Sequence, residues 1–425
     1  RTIRKVEKMF NGLIIFVFVT GYLVITLEHK TGVNKAATAL LVAVVCWTLN
    51  FMRAFPYDAA VTLHMNEHLA DIAQIMVFLL GSMTIVELVD SHKGFNIITD
   101  FIRTDSKRVL LWLISFATFF ISSVLDNLTT SIIMVTLLRR LLDDQKERMI
   151  FASMIVIAAN AGGAWTPIGD VTTTMLWIGG RVTSGKIMTQ LFLPSLISMI
   201  VPLGLFSFSV KGSLSGTTRK SENNSMAYGA RRIFSMGVGA LILVPILRAS
   251  TGLPPYLGIM FGLGLMWVLT DLIHQERHFL RVPHILTRVD ISSVLFFLGI
   301  LLAVAALQTA GILGSLTLWM DQYIGSKDII IFTMGVVSAI IDNVPLTAAL
   351  MGMYDLSRYP VDSKLWEMTA YGVGTGGSML IIGSAAGVVV MGMEKIRFSW
   401  YLRRVSLIAF IGYCAGFFYF LMMNH

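Results

Sequence analysis

Ser122-Ser123-Val124-Leu125-Asp126-Asn127-Leu128-Thr129-Thr130 puts a carboxylate and an amide in the middle of an apolar run that extends over 108–142. A bilayer core needs about 20 apolar residues per helical crossing, so the run is too long for one helix. Asp and Asn start helices more readily than they continue them. The run therefore reads as a helical hairpin that enters the membrane and returns by the same side. Asp342-Asn343-Val344-Pro345 interrupts 328–356 in the same way. Two further runs, 148–178 and 366–393, are broken by Gly162-Gly163-Ala164-Trp165-Thr166-Pro167 and Gly374-Thr375-Gly376-Gly377-Ser378, and read as interrupted spanning helices. Non-helical backbone survives at membrane depth only where protein or a water-filled cavity satisfies it. These four segments are thus expected to face one another around a site.

The rest of the chain supplies the setting. Of 425 residues 55% are apolar and only 14% charged, and the mean hydropathy is +0.74. That excludes an ordinary soluble enzyme, in which about a quarter of residues are charged. Uninterrupted apolar runs lie at 10–27, 36–52, 72–90, 187–210, 231–247, 256–272, 290–311 and 403–422. With each hairpin counted as no net crossing, ten crossings result. Eleven of the 33 basic residues then fall on one side and the other 22 on the opposite side. By the positive-inside tendency the richer side is cytoplasmic, which puts both ends of this chain outside. The net charge of +8 records orientation and does not require a nucleic-acid partner. Cys46 and Cys414 both sit in apolar runs, which argues against a disulfide framework or a Cys-ligated metal.

The two halves match in register at separations of 214 to 220 residues. Ser122 through Asn127 answers to Ser338 through Asn343, Gly162-Gly163 with Gly169 to Gly376-Gly377 with Gly383, and Phe78-Leu79-Leu80-Gly81 to Phe296-Phe297-Leu298-Gly299. Residues 1–210 form a first repeat, 211–230 a cytoplasmic linker and 231–425 a second repeat. Chance likeness between glycine-rich segments could explain one such pair; three in the same order point to duplication. Five crossings per half force the second half to insert upside down. The expected fold is an all-α polytopic membrane protein, an inverted repeat of two five-crossing halves, each with a re-entrant helical hairpin and a broken transmembrane helix. Paired interrupted helices of this kind mark secondary transporters with a site near the midplane.

The polar groups at the interruptions select the ligand. A central Asp costs about 2.5–3.5 kcal/mol to insert, so each needs a reason. The first hairpin tip offers Asp126, Asn127, Thr129, Thr130 and Ser131, and the second Asp342, Asn343 and Thr347, with Ser338 one turn earlier. The first broken helix adds Asn160, Thr166, Asp170 and Thr172 to Thr174; the second adds Thr375, Ser378 and Ser384. No Lys, Arg or His stands among them. Carboxylate, amide, hydroxyl and free backbone oxygens suit a small hard cation such as sodium or lithium. An anion would want Arg, Lys or converging helix N-termini. Buried carboxylates also take protons, so cation and proton can exclude each other at one site. Asp126, Asp170 and Asp342 are the candidate coupling carboxylates. Asp126 and Asp342 could instead cap the returning helices. Asp170, whose counterpart is Ser384, breaks the symmetry.

Other motifs carry less. His64-Met65-Asn66-Glu67-His68 fits the H-x-x-E-H pattern of zinc proteases, but it lies in a short outer loop with no extramembrane domain to complete a catalytic site. It reads as a lead-in to the third span. Glu87, Asp90 and His92 close that span, as a solvated interfacial cluster or as a pH-sensitive entry path.

Ala158 through Thr173, Ser122 through Thr130, Ile341 through Leu346, Gly374 through Ser378, Thr84 through His92 and Asn34 through Ala37 together closely resemble NhaD-type sodium/proton antiporters, over residues 28 to about 420. The resemblance implies a homodimer held by scaffold helices, and a transport domain of hairpins and broken helices that moves like an elevator. It also implies functional roles for Ser122, Asp126, Asn127, Asn160, Asp170, Thr172, Thr173, Ser338, Asn343 and Ser378. Members usually carry a further N-terminal hydrophobic segment, so the count is ten or eleven spans. The expectation is a secondary transporter that exchanges sodium or lithium for protons across the bacterial inner membrane, with no cofactor. A sodium-coupled anion or metalloid-oxyanion transporter on the same scaffold is the alternative, with a membrane-embedded metalloprotease behind it.

Overall fold

A computed structural model describes residues 2–54, 59–99, 104–210, 212–213, 228–276 and 278–424. Most of the linker assigned to 211–230 lies outside the described residues. The protein is a polytopic helical membrane protein; among the described residues the only β-pairing is an isolated bridge between Ser106 and Ser213. Among the described residues eight helices are long and apolar enough to cross a membrane: Val6–Thr26, Lys35–Arg53, Ala59–Ser91, Ser184–Ser209, Ala230–Thr251, Pro255–Ile273, Ile291–Thr309 and Ser406–Met423. They coincide with the eight uninterrupted apolar runs. Side chains such as Leu41 and Phe16, 68% and 67% exposed, are tolerable because lipid is as apolar as they are.

Two boundaries differ from the sequence reading. The third span does not begin at residue 72 after a loop, because one helix runs from Ala59 to Ser91, 33 residues. No glycine or proline stands between residues 59 and 80 to stop it. At 1.5 Å per residue it is about 50 Å long, beyond the roughly 30 Å hydrocarbon core. His64, Glu67 and His68 are therefore helical. A separate helix, Ile312–Tyr323, follows the span Ile291–Thr309; its 12 residues are too few to cross, and Trp319 and Tyr323 are exposed on it.

The chain forms two compact units, each drawing on both halves of the sequence. One comprises Arg1–Leu80, Asp290–Ile330 and Val344–Pro360; the other comprises Gly81–Val289, Ile331–Asn343 and Val361–His425. In the first, Trp47, Asn50 and Arg53 lie on one face of their helix. They donate to the carbonyls of Leu302 (2.9 Å), Ala306 (2.9 Å) and Ala310 (3.3 Å), which lie four residues apart on one face of the partner. The i, i+3, i+6 spacing thus meets an i, i+4, i+8 row.

In the second unit the helices Lys107–Ser122 and Asn127–Leu141 pack on Gln145–Gly163. Leu111, Ile114 and Phe119 from the first, Met134, Val135 and Leu138 from the second, and Phe151, Ile155 and Ala158 from the third share one buried core. Small residues let backbones approach where lipid supplies no hydrophobic drive, and Ala158 through Ala164 is a run of small residues broken only by Asn160. A methyl group added at Gly162 would collide with the carbonyl oxygen of Phe119, and one at Gly376 with that of Gly335. Both collisions are with backbone and have no cheap relief.

Candidate functional site

The site is built from helix ends within the second unit. The helix Lys107–Ser122 stops at Ser123, and the next begins at Asn127 with Asp126 as its N-cap. The Asp126 carboxylate is used locally: Oδ1 accepts from Thr129 N at 2.8 Å and Oδ2 from Thr129 Oγ1 at 2.6 Å. Those bonds satisfy donors that the first turn leaves open. Asn127, one residue on, points its buried side chain elsewhere. Its Nδ2 donates to Asn160 Oδ1 at 2.9 Å and to Asp170 Oδ1 at 3.1 Å.

The broken helix supplies Asn160 and Asp170. Its first part, Gln145–Gly163, ends in the glycine pair, and its second, Val171–Ile178, starts after Asp170. Asp170 is an N-cap by position only, because its side chain makes no capping bond. It is 2% exposed, and both oxygens are held by amides: Oδ1 by Asn127, and Oδ2 by Asn343 Nδ2 at 3.0 Å. The charged side chains that act on it electrostatically are Asp342 and Asp126, both acidic. The Thr172 hydroxyl is buried beside the Asp170 carboxylate, and Thr130 Oγ1 is buried and makes no hydrogen bond among the described residues. A buried hydroxyl in that state is costly unless a further ligand uses it. Asn160 Nδ2 donates to Ser384 Oγ at 3.1 Å, and Ser384 caps the helix Ala385–Glu394 through Gly387 N.

Asn127, Asn160, Asp170 and Asn343 thus form one network. Asp342 directly precedes the helix Asn343–Met353. Ser122 Oγ donates to Ala159 O at 2.7 Å, and Ser338 Oγ to Val373 O at 2.9 Å, matching contacts at matching positions of the two halves. Thr173 bonds the carbonyl of Asp170 at 2.8 Å. Thr375 and Ser378 bond carbonyls of their own segment, Tyr371 O at 2.6 Å and Thr375 O at 2.7 Å, so the structure does not bring these two hydroxyls to Asp170.

Ser384, offered by the sequence as a hydroxyl of the second broken helix and as the counterpart of Asp170, is a network member through Asn160. Two buried acids stand outside every motif. Glu367 is 2% exposed, and its Oε1 has no partner among the described residues. Glu394 is 1% exposed and holds Arg139 Nε at 2.7 Å and Arg148 Nε at 3.0 Å. A carboxylate at the end of an apolar helix is the one signal available for Glu394, and it does not name the partners.

Comparison with known proteins bears on what this site is for. Residues 22–370 match the family CitMHS, described as citrate transporter. Over 404 residues the chain is 50% identical to "Sodium/proton antiporter 1" of Arabidopsis thaliana, an overlap that spans 94% of this chain and 70% of that protein. It is 31% identical over 419 residues to "Na(+)/H(+) antiporter NhaD" of Vibrio parahaemolyticus, covering 89% and 98% of the two chains. The protein of the same name from Alkalimonas amylolytica is 29% identical over 438 residues, covering 95% and 88%.

Proposed function

We propose a function from one premise: the chain belongs to the CitMHS family and, within it, is an NhaD-type antiporter homologue. It is a secondary transporter, not an enzyme, and it exchanges sodium or lithium for protons across a membrane. The observation that carries this is Asp170, a buried carboxylate held by two amides with the Thr172 hydroxyl beside it. The family description speaks of citrate, but the charges acting on Asp170 are those of Asp126 and Asp342, and a multivalent anion would be repelled there. A cation of small radius fits the same oxygens.

In this reading Asp170 takes either the cation or a proton. Asn127, Asn160, Asn343 and Thr172 are the neutral ligands or their supports, and Asp126 and Asp342 are the flanking carboxylates. Mutual exclusion at one carboxylate couples the two fluxes in opposite directions, since each crossing carries one species and the return carries the other. The matched pairs Ser122/Ser338 and Gly162/Gly376 support the inverted repeat, and with it an alternating-access movement of elevator type in a homodimer. The membrane is one energised by protons, the bacterial inner membrane being the sequence expectation, with both ends of this chain outside; relatives come from bacteria and from a plant.

The purified protein in proteoliposomes loaded with a pH-sensitive dye tests the proposal. Sodium or lithium added outside is expected to drive proton movement that choline does not. Proton flux indifferent to sodium and lithium, with labelled citrate accumulating instead, would replace the cation reading with the anion one.

A further inference from the structure

The second unit contains a cavity of about 840 Å³ that antiport does not use. It lies where several membrane helices end together: Gln145–Gly163 and Ser406–Met423 begin there, and Ser184–Ser209 and Ala385–Glu394 finish there. Four of its lining residues are basic, Lys146, Lys395, Arg397 and Arg404, and none is acidic. All four side chains are exposed, and none forms an ion pair among the described residues. Of the acids nearest in sequence, Glu147 pairs with Lys107, Glu394 pairs with Arg139 and Arg148, and Asp144 accepts from the backbone N–H of Lys146. No ion pair among the described residues therefore neutralises these four cations.

Two features narrow the ligand. The lining also holds apolar Phe206, Met149 and Ile408 together with Trp400, and Trp is a residue that favours headgroup level. The volume and the apolar lining exceed what a lone phosphate ion would use. Lys395 also sits in the left-handed region, at φ 53°, where a helix ordinarily ends on glycine. A basic side chain is thus kept where a glycine would be free of strain, and such strain concentrates at ligand sites.

We infer that this cavity binds an anionic phospholipid, with its headgroup phosphate among Lys146, Lys395, Arg397 and Arg404 and an acyl chain along Phe206 and Ile408. Basic pockets between membrane helices recognise headgroups in this way. The site is separate from Asp170, so the inference stands whether or not the chain exchanges sodium for protons.

Native mass spectrometry of the full chain in mild detergent, titrated with phosphatidylglycerol or phosphatidylcholine, tests it. Retention of phosphatidylglycerol is expected to weaken about fivefold for each cation removed, hence about 25-fold in Arg397→Gln/Arg404→Gln. Lys395→Gly, which relieves the left-handed residue and so keeps the fold, is expected to lose about fivefold. Equal retention of the two lipids by the wild type, or undiminished phosphatidylglycerol retention in both variants, would overturn the site. Displacement of the lipid by millimolar inorganic phosphate would overturn the lipid as its occupant.

Discussion

Asn343 Nδ2 lies 3.0 Å from Asp170 Oδ2, although 173 residues separate them. Asn127 reaches the other oxygen of the same carboxylate, so the two hairpin tips meet on one side chain. A carboxylate has about four lone-pair sites. Two amide donors leave the rest for a cation, and each donor fixes where those remaining lone pairs point.

Asn343→Ala is expected to raise the sodium concentration for half-maximal proton flux about 10- to 100-fold, the range implied by about 1.5–3 kcal/mol for a hydrogen bond to a charged group. Asp170→Asn is expected to abolish sodium-dependent flux, since an amide neither titrates nor carries charge. Dye-loaded proteoliposomes read both. An unchanged sodium dependence in Asn343→Ala would remove the two-tip clamp from the mechanism.

Asp126 combines a cap with a charge, and substitution separates them. Asn caps as well as Asp, so Asp126→Asn should melt with the wild type while losing sodium-dependent flux. Asp126→Ala should lose about 1 kcal/mol of stability as well. Full flux in the Asn variant would reduce Asp126 to a cap.

Gly162 and Gly376 are predicted to fail alike. A methyl group at either meets a backbone carbonyl, and overpacking of that kind costs about 1–3 kcal/mol. Melting of Gly162→Ala and Gly376→Ala in detergent should show losses of similar size. Tolerance at one position and collapse at the other would count against equivalent packing in the two halves.

The breaks in the helices are legible in the sequence because Asp-Asn and Gly-Gly contrast sharply with the apolar residues around them. Which oxygens converge is not legible. Thr172, Thr173, Thr375 and Ser378 look equivalent in the chain, yet the last three donate to nearby carbonyls and only Thr172 turns to the Asp170 carboxylate. That choice is made by rotamer competition with local backbone, which spacing does not encode. The pairing of Glu394 with Arg139 and Arg148 is long-range, and opposite charge alone does not choose among 33 basic residues.

That pairing carries its own prediction. Glu394 is 1% exposed and Arg148 18%, so removing one partner strands a buried charge, at about 3–5 kcal/mol. Arg139, 44% exposed, offers partial compensation, which puts Arg148→Met at the lower end. Restoration of melting temperature in Arg148→Met/Glu394→Leu would identify the stranded charge as the cause; an additive loss would assign it to packing.

His92, with His274 as its partner, is predicted to make stability fall in acid. They lie just beyond the ends of their spans, 0% and 3% exposed, with Nε2 atoms 2.9 Å apart. His92 Nδ1 is 2.7 Å from Leu88 O, a contact that requires Nδ1–H, so its Nε2 accepts from His274. Burial pushes the pKa of His92 below its ordinary value, and the Leu88 bond opposes this only in part. The folded state therefore holds His92 neutral, while the unfolded chain takes up a proton below about pH 6.5. Protons bind more to the unfolded state in that window, so stability is full above pH 6.5 and falls as the pH drops below it. Melting curves of the detergent-solubilised protein should show that decline, and His92→Gln should flatten it. Parallel pH profiles for the two proteins would assign the acid sensitivity to other groups.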